Sequence, residues 1–485
     1  MKKIIALLAI MLLFASSAAY AEHTNDASYI YDFWGNANNS MGAFELSSVI
    51  DNTNMPEDIS IKGINDIYVH NGRISLIDTA QNRLNVFTET YEFVTSVKIV
   101  REPSGKIVVS EDTGKQMILN GPEGVYATDE YIYIADTGNE RIIILDANTF
   151  AYVREITRPE NMVGVTLFKP SKIAVDESGR MFVVVKNSTE GIVELNEDGS
   201  FSCYFGVNSP KVNIIDYLWK SMASAEQRAK MSKVYAPAFS NVQTDNEGFV
   251  YAVTLDTASE NMVFRMNSKG ENVIRLFGYS EQLGDLVTPT NTEQSRFADI
   301  AVSDYGVYAL LDTAKGRVFI YNFDGNLLSI FGGSGDIKGT FKEPTSIAWQ
   351  GDSLIVGDAR LSSAYVFTPT DFGKLILEAE KRYNAGDFEA AAQLQLEVID
   401  MNANYDHAYV SIGKNLLMED EYEEAMVYFS LGNDKTYYSK AYAGYRNIQI
   451  QRNFIWFAIV FLLFVVWILR GEYQYNKRQR QLEEL

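Results

Sequence analysis

Short apolar runs come in pairs along most of this chain. Six segments share one layout: an apolar run, a polar turn that often holds Gly, and a second apolar run. They are INDIYVHNGRISLID (64–78), PEGVYATDEYIYIAD (122–136), PSKIAVDESGRMFVVVK (170–186), FSNVQTDNEGFVYAVTLD (239–256), FADIAVSDYGVYALLD (297–312) and PTSIAWQGDSLIVGD (344–358). Runs this short, rich in β-branched and aromatic residues and bounded by Gly, Asn and Asp, read as strands. All but the third segment end in Asp, and the third ends in Lys186. A third run follows, as in RLNVF (83–87), RIIIL (141–145), RVFIY (317–321) and AYVF (364–367). A fourth often closes on aromatic-Gly, as in SCYFG (202–206), IRLFG (274–278) and LSIFG (328–332).

Four strands per unit, recurring every 46 to 70 residues, read as the blades of a propeller. Six units predict a six-bladed β-propeller with four-stranded antiparallel blades over residues 28–370. The sixth unit stops after its third strand, at Phe367. YIYDFWG (29–35) has the aromatic-Gly ending of a fourth strand, so it is expected to complete blade six and seal the ring, leaving no open edge there. Trp34 and Trp349 would then pack within that closing blade.

The turn Asp136-Thr137-Gly138-Asn139-Glu140-Arg141-Ile142 closely resembles the NHL-repeat family, whose blades carry Asp-Thr-Gly-Asn-x-Arg-Ile. Residues 78–83 and 312–317 match in part, with Arg83 and Arg317 at the basic position. Blade three departs, with Lys186 and Gly191 at the acidic and basic positions, and blades four and six carry Asn261 and Ser363 in place of Arg. The resemblance implies the propeller fold. For function it is broad, because such propellers serve as enzymes, binders and scaffolds.

Two roles are open to the repeated acid. It can accept hydrogen bonds from its own turn and pair with the Arg that opens strand three. Alternatively, Asp78, Asp136, Asp256, Asp312 and Asp358 could form a ring of carboxylates that holds a cation near the channel. The repetition favours the turn role, since every blade must turn here. Some propellers similar to this one are lactonases or lyases with a divalent metal in the channel, but no such ligand set maps onto this chain. His23, His70 and His407 are the only histidines and form no metal-binding spacing, and no GxSxG motif stands out. No catalytic residue and no cofactor are therefore assigned. His70 reads as a surface turn residue.

The long step between blades three and four holds KVNIIDYLWKSMASAEQRAKM (211–231), where Ile214, Ile215, Leu218, Trp219 and Met222 share one helical face. This insertion helix is expected on the side of the ring that carries the Asp turns. Ile215, Trp219 and Met222 would either pack down as extra core or form a lid or docking surface.

From about residue 371 the apolar spacing changes to i, i+3, i+4. Phe388 and Tyr422 lie 34 residues apart, as do Ala391 and Ala425. Gly386-Asp387-Phe388-x-x-Ala391 and Glu421-Tyr422-x-x-Ala425 resemble tetratricopeptide repeats, which implies a TPR-like module over 371–451 that grips a protein partner or serves as a stalk. A last helix, about 437–451, is expected to run into NFIWFAIVFLLFVVWIL (453–469), an uncharged stretch long enough for one transmembrane helix and bounded by Trp456 and Trp467.

The first residues, MKKIIALLAIMLLFASSAAYA, have the basic, apolar and small-x-small regions of a signal peptide cut after Ala21. Export then places the propeller and helical module outside the membrane and the basic tail, 470–485, in the cytoplasm. The 485-residue chain carries a net charge of −21, which disfavours nucleic acid. Cys203 is the only cysteine, so the exported part has no internal disulfide, and its strand context predicts a buried thiol. Propeller-plus-helical-repeat chains with one span look similar to accessory proteins of bacterial surface and sugar-uptake systems. That resemblance implies a membrane or envelope protein partner for the helical module and a peptide or glycan for the propeller face. Trp34, Trp219 and Trp349 are the aromatic candidates for sugar.

Overall fold

A computed structural model describes residues 28–110, 114–206, 237–257, 259, 261–276, 283–287 and 293–483. The signal segment and the insertion helix, with Ile215, Trp219 and Met222, lie outside the described residues. After β1 (Tyr29–Tyr31), β2 (Ala37–Asn39) and β3 (Phe44–Ile50), the strands fall into six sheets. Blade one is β4 (Ile64–His70), β5 (Arg73–Asp78), β6 (Arg83–Thr88) and β7 (Phe93–Val97). Blade two is β8 (Gly124–Ala127), β9 (Tyr131–Asp136), β10 (Arg141–Asp146) and β11 (Tyr152–Ile156). Blade three is β12 (Pro170–Val175), β13 (Met181–Val185), β14 (Ile192–Leu195) and β15 (Phe201–Phe205). Blade four is β16 (Asn241–Thr244), β17 (Val250–Val253) and β18 (Val263–Met266), with a single bridge from Met266 to Asn272 beyond them. Blade five is β19 (Phe297–Val302), β20 (Tyr308–Asp312), β21 (Arg317–Tyr321) and β22 (Leu327–Gly332). Blade six is β23 (Pro344–Gln350), β24 (Ser353–Asp358) and β25 (Ser363–Pro369), completed by β3. All pairings are antiparallel, and the first strands β4, β8, β12, β16, β19 and β23 touch in that cyclic order, so the architecture is a closed six-bladed propeller.

The second strands are buried along nearly their whole length. They lie inside a sheet and between neighbouring blades, which is why they read as continuous apolar runs. The fourth strands β7 and β11 are mostly half-buried or exposed because their outer face meets water, whereas β22 is buried over Leu328–Gly332. Asn71 and Gly72, both at positive φ, close the β4–β5 hairpin, a turn that matches the strand twist.

Ring closure differs from the expectation. The closing strand is Phe44–Ile50, paired with β25 from Ala364↔Ile50 to Pro369↔Phe44. Tyr29–Tyr31 instead pairs with Ala37–Asn39 in a separate two-stranded ribbon. The serines at 47 and 48 dilute the apolar signal of the true closing strand, while Asp32 and Gly35 turn the first segment back on itself. Trp34 accordingly lies in the hairpin turn and is exposed, whereas Trp349 is partly buried in β23 and donates its indole N–H to the carbonyl of Ala301 at 3.1 Å.

The helix α1 (Asp371–Asn384) belongs to the same compact unit as the propeller. Phe372, Ile376 and Leu377 are buried, Lys381 pairs with Asp352 at 2.8 Å, and the Asn322 side chain donates to Glu380 at 3.2 Å. A second unit, from Ala385, holds α2 (Phe388–Met401), α3 (Asp406–Met418), α4 (Tyr422–Leu431) and α5 (Lys435–Glu483), each packed on the next. Ala391 and Ala425 are both buried. Close packing here needs glycine: a Cβ on Gly413 would stand 2.7 Å from the Phe429 ring, and one on Gly444 would stand 2.3 Å from the Tyr422 ring. Helix α5 is the one helix among the described residues that is long and apolar enough to cross a membrane.

Candidate functional site

The repeated acids sit where strand two ends. Asp78, Asp136, Asp312 and Asp358 are fully buried and accept from backbone N–H groups of the segment that leads into their own blade. Asp78 accepts from Lys62, Gly63 and Gln81 at 2.8–3.1 Å. Asp358 accepts from Lys342, Glu343, Arg360 and Leu361 at 2.7–3.0 Å. Each carboxylate thereby ties a blade's entry to its own strand-two turn. The Arg pairs with the acid in blade two, where Arg141 Nε lies 2.9 Å from Asp136 and Nη1 lies 2.9 Å from Glu155. Burial pushes the Asp136 carboxyl up despite these partners, and it does the same to Asp312, whose Oδ2 has no hydrogen-bond partner.

Pairing registers shift two of the aligned positions. Val185, not Lys186, faces Pro170 as Asp78 faces Ile64. In blade four Asn241 pairs with Val253, so Thr254 holds the acid's place. Thr254 is buried and donates to the Ala238 carbonyl at 2.7 Å, while Asp256 lies beyond β17 and is exposed. The structure therefore brings Asp78, Asp136, Asp312 and Asp358 to equivalent turns and leaves Asp256 outside that set. Among the described residues, no three His, Cys, Asp or Glu side chains converge closely enough to hold a metal ion.

The polar groups that do converge come from the first strands. In blades one, three, five and six a register shift falls between the first and third residues of strand one. Such bulges re-aim the residue that follows; here those residues are Asp66, Lys172, Asp299 and Ser346. With Asn241 of blade four they form one network that joins all six blades, every member at least nine-tenths buried. Asp66 accepts from the Val125 N–H of blade two at 2.8 Å, from Lys172 Nζ of blade three at 2.5 Å and from Ser346 Oγ of blade six at 3.3 Å. Ser346 Oγ in turn accepts from the Ile67 N–H at 2.8 Å. Asp299 accepts from the Ile347 N–H at 2.7 Å and from the Asn241 side chain. Burial pushes Asp299 up to about 7; Lys172 pulls it down and Asp66 pushes it further up. Asp66 is raised by burial as well.

Blade two contributes no side chain to this network. Its equivalent residue is Gly124, where a Cβ would stand 2.4 Å from the Ser171 carbonyl oxygen and 3.0 Å from Lys172 Cα. The missing side chain lets the third blade approach, and Lys172 reaches across to Asp66 and the Asn65 carbonyl. Gly124→Ala is expected to destabilise the propeller by about 1–3 kcal/mol through overpacking, seen as a lower thermal midpoint of the purified chain. An unchanged midpoint would mean that the blades can part there freely.

A second polar hub holds the N-terminal ribbon. Asp285 is fully buried and accepts from Tyr29, from Tyr31 at 2.9 Å, from Lys315 at 2.8 Å and from Arg317 at 2.5 Å. Burial pushes its carboxyl up, but these four donors outweigh that, and the carboxyl lies below its ordinary value. Arg317 is thereby drawn to Asp285.

His70 ends β4 and contacts Asp129 at 2.9 Å on the surface. Cys203 is exposed on β15, contrary to the expectation of a buried thiol, because the outer face of a fourth strand meets solvent. Sequence reasoning missed Asp66, Lys172, Asn241, Asp299 and Ser346, although a signal was present: each is the third residue of its quoted repeat segment.

No family model matches the chain, and no curated protein matches it. Among solved structures it is similar to a streptogramin B lyase, at 15% identity over 67% of this chain and 98% of that one, with a TM-score of 0.40. It is also similar to the Cps50 (Swd1) β-propeller domain of Myceliophteria thermophila, at 11% identity over 64% and 99% of the two chains, TM-score 0.37. The extracellular domain of a one-component system from B. thetaiotaomicron matches at 13% identity over 62% and 33%, TM-score 0.33.

Proposed function

We propose that the chain is a membrane-tethered binding scaffold, with the propeller and helical module on the outer side and residues 470–485 in the cytoplasm. The observation that carries this reading is helix α5. Its first turns pack within the helical unit, where Ala441 is buried. The same helix then continues unbroken through residues 454–469, where nearly every side chain is apolar and exposed. An exposed apolar cylinder of this length is at home in lipid. Arg470, Lys477, Arg478 and Arg480 beyond it fit a cytoplasmic end.

The stacked helices, with Gly413 and Gly444 receiving aromatic rings, support a TPR-like role in gripping a membrane or envelope protein. The propeller would bind a peptide or glycan. A second reading, a lyase or lactonase with a divalent metal in the channel, finds its support in the paired carboxylates Asp66 and Asp299. The donor set does not suit a metal: Lys172 Nζ already stands 2.5 Å from Asp66, where its ammonium would repel a cation.

Affinity capture of the full chain from its native membranes tests the scaffold. A partner at near-stoichiometric yield is expected, and its loss on deletion of residues 385–432, as identified by mass spectrometry. Recovery of the bait alone would sink the scaffold reading.

A further inference from the structure

The turn between β1 and β2 is built to hold one indole in water. Trp34 is 77% exposed. Burying a Trp is among the larger gains available to a fold, and this one is left in water. Yet the turn is tightly fixed. The Asp32 carboxylate accepts from the Trp34 N–H at 2.9 Å, the Asn36 N–H at 2.8 Å, and the Asn36 and Asn38 side-chain amides at 3.2 and 3.3 Å. Burial pushes the Asp32 carboxyl up, but those donors together outweigh it and hold the carboxyl below its ordinary value. Gly35 takes a φ of +77°, and a Cβ there would lie 3.2 Å from Leu286. Phe33 meets the indole edge-on at a centroid distance of 5.0 Å. At the root of the ribbon, Tyr29 and Tyr31 are held on Asp285. The indole is therefore placed before any ligand arrives, which lowers the ordering cost of binding.

We propose that Trp34 is a stacking platform for one neutral sugar ring of a glycan. Three observations select this occupant. A single indole is far smaller than the roughly 800 Å² per partner that a stable protein interface covers, but it matches the apolar C–H face of a pyranose ring. Its collar is polar: Asn36 and Asn38 give their amide hydrogens to Asp32, which leaves their carbonyl oxygens as acceptors for sugar hydroxyls. The adjacent Asp32 and the net charge of −21 disfavour acidic sugars and anionic lipid headgroups. This inference rests on the binding role proposed above and names a ligand class and a place for it.

The test uses the full chain in detergent, titrated calorimetrically and by tryptophan fluorescence with neutral hexasaccharides of glucose, xylose and mannose. At least one is expected to bind with a Kd of about 0.1–1 mM, as single-ring contacts do. Trp34→Ala should weaken it by about tenfold or more, and Trp34→Phe by less, because a smaller ring still stacks. The thermal midpoint of both variants should match the parent, since the side chain is exposed. Absence of binding by every saccharide, or equal binding by Trp34→Ala, would overturn the platform. So would a Trp34-dependent affinity for phosphatidylcholine vesicles without any for saccharides. A captured protein partner with no sugar binding removes the platform alone, whereas sugar binding with no captured partner removes the scaffold and leaves the platform standing.

Discussion

Asp136→Ala is expected to destabilise the propeller by about 3–5 kcal/mol, the range for removing one member of a buried ion pair. The loss has two sources. Arg141 is buried beside the acid, so the variant leaves a guanidinium with only Glu155 to balance it. The Asn120 N–H and the Asn139 amide, which donate to Asp136 at 2.7 and 2.8 Å, also lose their acceptor. Burial pushes the carboxyl up, so the pair is only partly repaid for its own desolvation, and the damage comes from what is left unpaired. The double variant Asp136→Ala/Arg141→Met should therefore recover part of the loss, because it withdraws the orphaned charge. Denaturant midpoints of the parent, single and double variants measure this. Equal losses in both variants would show that the charge plays no part and that the turn hydrogen bonds account for the whole effect.

The strand pairs were legible because propeller blades repeat one local solution. An apolar run, a tight turn and a second apolar run recur, and all six quoted segments fold as β-hairpins. The blade edges were less legible. The closing strand Phe44–Ile50 is broken by Glu45, Ser47 and Ser48, which dilute its apolar signal, and an aromatic-Gly ending elsewhere outweighed it. Lys186 and Asp256 end their quoted segments, but backbone pairing puts Val185 and Thr254 at the position of the acid. A propeller tolerates such substitutions, since Thr254 can bond the preceding segment through its hydroxyl. The central network was legible only in retrospect. Its residues, Asp66, Gly124, Lys172, Asn241, Asp299 and Ser346, occupy one column of the repeat yet differ in kind. Conserved chemistry at one position is easy to see in a repeat; complementary chemistry distributed around a ring is visible only once the ring closes.

That complementarity sets a pH dependence. Asp299 rises from an ordinary value of 3.8 to about 7 in the folded ring, chiefly through burial. A group raised on folding holds a proton that the unfolded chain has already released. Its contribution to stability is therefore fully present below about pH 4, falls as pH rises toward 7, and is flat above. Asp66 is raised as well and acts in the same sense, whereas Asp285 is lowered and contributes stability that fades in acid. The absolute stability curve mixes these effects, so the informative quantity is the difference from Asp299→Asn, which cannot ionise. The thermal midpoint of the parent, relative to that variant, should fall steadily between about pH 4 and pH 7. Parallel curves would mean that Asp299 titrates as it does in the unfolded chain. Lys172→Met gives the sharper check, because Lys172 is the cation that pulls Asp299 down, and its removal also leaves Asp66 without its counter-charge. The decline should then continue to higher pH, and the variant should be least stable in alkali, where Asp66 and Asp299 are both charged without the Lys172 ammonium beside them. A decline that ends at the same pH in parent and variant would break the electrostatic link between the third blade and the fifth.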